Sequence, residues 1–165
     1  MTSVARQHLF ADPAHADVSA ATQMSLAPYF MILFALIGIA DAFYDSYAIF
    51  NGQPLWCPPP IDGCNIVANS PYARGFGLPL GYFGVVYYLY MLGLAALLAF
   101  DPSSRGLRVG ALVYAALGLG ASIFFMYVQF NFIHAFCIYC MVSGALTLLL
   151  FIAALSHVRA TRGAV

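Results

Sequence analysis

Residues 78–100 read LPLGYFGVVYYLYMLGLAALLAF, a run with no charged side chain. A helix rises about 1.5 Å per residue, so this run reaches across a hydrocarbon layer of roughly 30 Å. In lipid every backbone N–H and C=O must be satisfied within the segment, which makes the run a helix rather than a strand. Three further apolar runs of similar length occupy residues 28–50, 107–129 and 136–156. The expected fold is an all-α membrane protein, a four-transmembrane-helix bundle.

The composition agrees. The chain has 165 residues, 63% hydrophobic and only 7% charged. A soluble domain carries about 25% charged residues, so here one compact domain must present most of its surface to membrane lipid. Lys and Glu are absent, and the formal net charge is zero. With no basic run, nucleic acid has no electrostatic footprint and is excluded as a partner. Residues 1–27 read as a flexible N-terminal tail, residues 28–156 as the transmembrane domain, and residues 157–165 as a C-terminal tail. The first apolar segment comes late and is long, which marks a retained span rather than a cleaved secretory signal.

Residues 51–77 hold five of the nine prolines, four glycines and two cysteines. They read as a long connection, residues 101–106 as a turn, and residues 131–135 as a tight link. Four spans return both termini to one side, together with Arg6, Arg105, Arg108, Arg159 and Arg162, against Arg74 alone on the other. The positive-inside rule then puts the termini in the cytoplasm and the cysteine-bearing connections on the exoplasmic side. Small residues of the third span, Gly110, Ala111, Ala115, Ala116, Gly118, Gly120, Ala121 and Ser122, read as helix packing. Tyr82, Phe83, Tyr87, Tyr88 and Tyr90 read as interface anchors and packing, with one or two available to wall a planar ligand.

Four cysteines carry the chemistry. Cys57 and Cys64 lie in the exoplasmic loop between helices 1 and 2, separated by Pro58, Pro59, Pro60, Ile61, Asp62 and Gly63. Cys137-Ile138-Tyr139-Cys140 opens the fourth helix on the same side. A spacing of three puts both sulfurs on one face of the first turn, where unpaired N–H groups favour the thiolate of the first cysteine. A low-pKa thiol is a good leaving group in disulfide exchange, and disulfides persist on the exoplasmic side. Spacing alone leaves three other uses open: a structural zinc site, soft-metal handling (mercury or copper) by a small four-span transporter, and inert disulfide staples. Against them stand the six-residue gap in the first pair, the lack of thiols within the spans, and the strain of a bridge closed within one helical turn.

The run from Cys64 through Asn65, Ser70, Arg74, Gly75, Phe76, Gly77 and Leu78, followed by Cys137-Ile138-Tyr139-Cys140, resembles the vitamin K epoxide reductase family. The resemblance covers roughly residues 57–145. It implies a four-helix bundle around a quinone, with a loop cysteine pair shuttling electrons to the Cys-x-x-Cys pair. By that resemblance Cys57 meets a separate thioredoxin-fold, DsbA-like partner, Cys64 carries electrons to Cys137, and Cys140 faces the quinone. Ser70 matches the family's Ser or Thr beside the redox centre. The resemblance to single-domain bacterial members implies the bacterial inner membrane, a ubiquinone, menaquinone or phylloquinone-type acceptor, no metal, and a role in disulfide bond formation. Animal members bind the ligand's oxygens with an Asn before the second helix and a Tyr four residues after the Cys-x-x-Cys. Here those places hold Leu80 and Gly144, so quinone reduction, rather than epoxide chemistry, is the expected reaction.

Three polar residues outside the cysteines are candidates. Asp41 and Asp45 lie four apart on one face of the first helix, with Asp41 roughly 20 Å along it. An acid at that depth is costly and marks function by default; Asp41 is expected to relay protons or to pair with Arg74 or a Tyr hydroxyl. His134, three residues before Cys137, is a candidate to stabilise a thiolate or move protons, against its reading as a hydrated loop histidine.

Overall fold

The computed structural model describes residues 13–59 and 63–162. Pro60, Ile61 and Asp62 of the cysteine loop lie outside the described residues. The elements are α1 (Pro13–Phe50), a short α2 (Cys64–Ala68), a two-stranded ladder of β1 (Arg74–Gly75) and β2 (Leu78–Pro79), then α3 (Leu80–Phe100), α4 (Arg105–Val128) and α5 (Ile138–Arg162). Among the described residues, four segments are long and apolar enough to cross a membrane: Leu26–Phe50, Leu80–Phe100, Arg105–Ile133 and Ile138–Ala160. The protein is an all-α membrane bundle of four spans. Its outer face is apolar, with Leu36, Phe43, Val86, Leu117, Ile123 and Ile152 all exposed, as suits a surface solvated by lipid.

Both outer helices overrun the boundaries expected from hydropathy. α1 begins at Pro13, inside the segment read as a tail. Proline at the first helical position loses no hydrogen bond, and the alanines that follow favour helix. α5 likewise continues to Arg162, past the expected end of the fourth span. Hydropathy marks where lipid contact ends, whereas a helix ends only where its hydrogen bonding does.

α1 and α3 cross at close quarters. Gly38, Ala42 and Ser46 recur every four residues and form one stripe on α1. A side chain at Gly38 would run into the ring of Tyr88, and one at Gly84 would come within 3.3 Å of the Ala42 Cβ. Close approach of backbones through small residues is how helices associate where lipid and side chain are equally apolar. Tyr88 is fully buried, and its hydroxyl lies 2.8 Å from Ser143 Oγ and 3.1 Å from the Ser143 carbonyl on α5. On α4, Ala111, Ala115 and Gly118 are buried as expected, but Gly110 and Gly120 face open space.

The core divides along the bundle. Met31, Ala35, Met91, Leu98, Ala111 and Leu150 fill the half remote from the cysteines. A second buried cluster, holding Ala48, Leu55, Cys64, Val67, Ala135 and Cys137, closes the cysteine end. The loop that supplies half of this cap is structured by side chains. Asn65 Oδ1 accepts the Leu55 N–H at 2.8 Å while Asn65 Nδ2 donates to the Leu55 carbonyl at 3.1 Å, so one amide imitates a strand partner across the neck of the loop. The antiparallel ladder then turns through Phe76 and Gly77, both at positive φ.

Candidate redox site at the capped end of the bundle

Cys57 and Cys64 are joined in a disulfide with Cα atoms 6.1 Å apart, within the span such a bridge requires. Cys64 opens α2 and is fully buried, whereas Cys57 stays partly exposed beside Trp56, which is 70% exposed. Cys137 and Cys140 are free thiols. Cys137 lies immediately before the first residue of α5, and its carbonyl accepts the Met141 N–H at 3.1 Å. It therefore caps the helix, the position where the dipole favours negative charge. The Cys140 thiol, by hydrogen bonding, holds the Cys137 thiol below its ordinary pKa, against the opposing effect of burial.

Two residues not singled out from the sequence hold this cap. Gln129 is buried, and its Oε1 accepts the Cys137 N–H at 2.9 Å. It opens the π-helical turn Gln129–Ile133 that carries the chain from α4 towards α5. Tyr139, inside the Cys-x-x-Cys, donates its hydroxyl to the Trp56 carbonyl at 2.7 Å, one residue from Cys57. The sequence signals were faint: an amide at the end of an apolar span, and a tyrosine between two cysteines.

Beneath the cap lies a cavity of about 340 Å³, within the range of small-molecule sites. Cys137, Tyr139 and Cys140 line it at the redox end. Asp41, Asp45 and Ser70 all line it as well, and so does Leu80. Ser70 Oγ donates to the Val67 carbonyl at 2.7 Å, so it fastens the end of α2 while bordering the cavity. Gly144 is not part of the lining; a side chain there would meet Met126 Cε at 2.9 Å. His134 is exposed, adopts a left-handed conformation at φ 55° and lies outside the lining. Arg74 donates to the Ile49 carbonyl at 3.5 Å.

The walls suit a flat apolar molecule. Phe83, Tyr88, Phe125 and Tyr139 present rings to the cavity. Tyr87 also lines it, and its buried hydroxyl has no hydrogen-bond partner among the described residues. An unpaired buried hydroxyl costs about 1–3 kcal/mol. Gly118 leaves the room in which the Tyr87 ring sits.

Paired cysteines at one end of a four-span bundle, one pair bridged and the other free, define a membrane-embedded thiol–disulfide protein. The comparison with known proteins specifies it further. The chain belongs to the vitamin K epoxide reductase family, whose model matches residues 29–155. It is similar to the thiol-disulfide oxidoreductase LTO1 of Arabidopsis thaliana, 31% identical over 125 residues, which cover 72% of this chain and 33% of the plant protein. The chain thus spans about a third of that relative's length.

Proposed function

We propose that the protein is a membrane thiol:quinone oxidoreductase that takes electrons from a thioredoxin-fold partner through Cys57 and Cys64, passes them to Cys137 and Cys140, and supports disulfide bond formation. The observation that carries this reading is the single buried cluster that holds Cys64 and Cys137 directly above an apolar cavity lined by Cys137 and Cys140. In this reading the termini are cytoplasmic and the cysteines exoplasmic. The bridge between Cys57 and Cys64 argues against metal handling, because a bridged sulfur is not the thiolate that binds zinc or copper(I).

The relay balances as a series of exchanges. A partner thiolate attacks Cys57 Sγ, the Cys57–Cys64 bond breaks, and Cys64 leaves as a thiolate. The partner's second thiol attacks its own sulfur in the mixed disulfide and frees Cys57. Cys64 then attacks Cys137 of an oxidised inner pair, and Cys140 leaves as a thiolate. Attack of Cys57 on Cys64 restores the loop bridge and leaves Cys137 and Cys140 reduced, which is the pairing in the structure. The lowered pKa of Cys137 speeds the last of these exchanges, in which Cys137 is the leaving thiol.

A quinone in the cavity supplies an acceptor for two electrons and two protons. The chain's own residues bind it and handle the protons. The ring-lined walls offer an apolar face to its ring. Asp41 and Asp45, one helical turn apart on the wall, hold protons close to the redox pair. Cys137 and Cys140 close to a disulfide as they give up electrons.

Purified protein supplied with dithiothreitol should reduce a short-tailed ubiquinone. Cys140→Ala should abolish turnover, while Cys57→Ala should keep much of it, since a small thiol reaches the inner pair without the loop. Stoichiometric binding of zinc or copper(I) by the wild-type chain, without quinone turnover, would replace this reading with the metal-handling one.

Sidedness has its own test. A membrane-impermeant maleimide applied to intact, reduced cells should label Cys57. A cysteine introduced by Ser103→Cys should stay unlabelled until the membrane is opened. The reverse order would invert the orientation and move the cysteine pairs to the cytoplasm.

A further inference from the structure

We propose that Gly63 is the positioning residue for exchange between the two cysteine pairs: having no side chain, it lets the loop lie on the backbone that leads into Cys137. This rests on the relay described above and deepens it.

A Cβ on Gly63 would stand 2.6 Å from the Phe136 carbonyl oxygen, 2.8 Å from the Phe136 nitrogen and 3.0 Å from the Ala135 Cβ. Two of those three atoms are backbone, so no side-chain rotation makes room. Gly63 precedes Cys64 and Phe136 precedes Cys137, so the two segments touch one residue before each reacting sulfur. Gly63 has an ordinary φ of −75°, and close approach alone demands a glycine there. Ordinary carbon contacts begin near 3.4 Å, so a methyl group at this position pushes the loop back by about 0.8 Å.

The rest of the cap is arranged to make that displacement felt. Cys64 is fully buried on its own short helix, with no slack on its C-terminal side because the Val67 N–H bonds to the Gly63 carbonyl at 2.9 Å. The Asn65 amide ties the same helix to Leu55. The Tyr139 hydroxyl pins the Cys57 side through Trp56. The described parts of the loop on both sides are therefore tied to the cap, and the seat of Gly63 on Phe136 sets the distance between Cys64 and Cys137. The step affected is the attack of the Cys64 thiolate on Cys137 Sγ, with Cys140 leaving as thiolate. A misplacement of roughly 1 Å in such a step costs up to about a hundredfold.

The test uses the full chain in detergent or membranes. In a Cys140→Ser background, the fraction trapped as a Cys64–Cys137 disulfide is measured after alkylation of free thiols. Gly63→Ala should lower that fraction about tenfold or more, and Gly63→Val should lower it further. With all four cysteines present, Gly63→Ala should reduce a short-tailed ubiquinone with dithiothreitol at the wild-type rate, because that route bypasses the loop. An unchanged trapped fraction in Gly63→Ala overturns the proposal. So does a loss of dithiothreitol-driven turnover in step with the trapped fraction, which would make the glycine a general packing position. A wild-type chain that reduces no quinone with dithiothreitol instead sinks the oxidoreductase reading, and the trapped fraction then decides the role of Gly63 alone.

Discussion

The Cys140→Ser chain should lose quinone reduction completely and accumulate a disulfide between Cys64 and Cys137. Cys137 then has no neighbouring thiol to close with. Its thiolate exchanges with the loop bridge at Cys64, the sulfur with which it shares a buried cluster, and Cys57 is released. Cys57, partly exposed, is captured by N-ethylmaleimide, which blocks the return reaction and fixes the product. A protease site introduced between Ser103 and Ser104 divides the chain, with Cys57 and Cys64 on one piece and Cys137 on the other. The cut falls in the short turn between α3 and α4, where Ser103 Oγ donates to Asp101 at 2.7 Å on an exposed surface. On a non-reducing gel the two pieces should stay joined, and reductant should part them. Removing either loop cysteine also removes the bridge that supplies the oxidation, so diamide is added to both double variants: changing Cys64 as well should part the pieces, and changing Cys57 should not. If the pieces stay joined without Cys64 but part without Cys57, the shuttle cysteine is Cys57 and the order of the relay is reversed.

The sequence was most informative where a property is carried by one residue type over a long stretch or a fixed spacing. Unbroken apolar runs showed the four spans, because lipid allows few alternatives to a helix. The spacing of Cys137 and Cys140 put two thiols at the start of a span, and the structure places both there. Asp41 and Asp45 share a helix face, and the structure brings both to one cavity wall with Ser70. His134 shows the limit of the same logic. Three residues amount to one turn only inside a helix, and 134–137 are not helical, so nearness in sequence does not place its side chain beside Cys137. Gln129, Asn65 and Gly63 were illegible for another reason. Each acts on the backbone of a residue distant in sequence, or joined to it through a loop, and no local pattern encodes that meeting. The α1 stripe was equally hidden, because Gly38, Ala42 and Ser46 look unremarkable among apolar neighbours until α3 is packed against them.

That stripe gives the second large effect. Gly38→Leu should prevent the bundle from assembling, and Gly38→Ala should destabilise it by about 1–3 kcal/mol, the usual cost of overpacking a filled interior. The obstacle at Gly38 is the ring of Tyr88, which cannot swing aside cheaply. Tyr88 is fully buried, lies edge-on to Tyr87 with ring centroids 5.1 Å apart, and is tied to Ser143 on α5. Displacing it therefore loosens α1, α3 and α5 together and disturbs the cavity wall that Tyr87, Tyr88 and Ser143 share. Gly93→Ala is the control: nothing lies within 4 Å of the added methyl group, and alanine is the better helix former by roughly 0.8–1.0 kcal/mol in peptide hosts. Thermal unfolding in detergent should show a lowered midpoint for Gly38→Ala and an unchanged or raised one for Gly93→Ala. Equal midpoints for Gly38→Ala and wild type would mean that Tyr88 yields at little cost, and that the α1–α3 crossing is not held by close approach at this stripe.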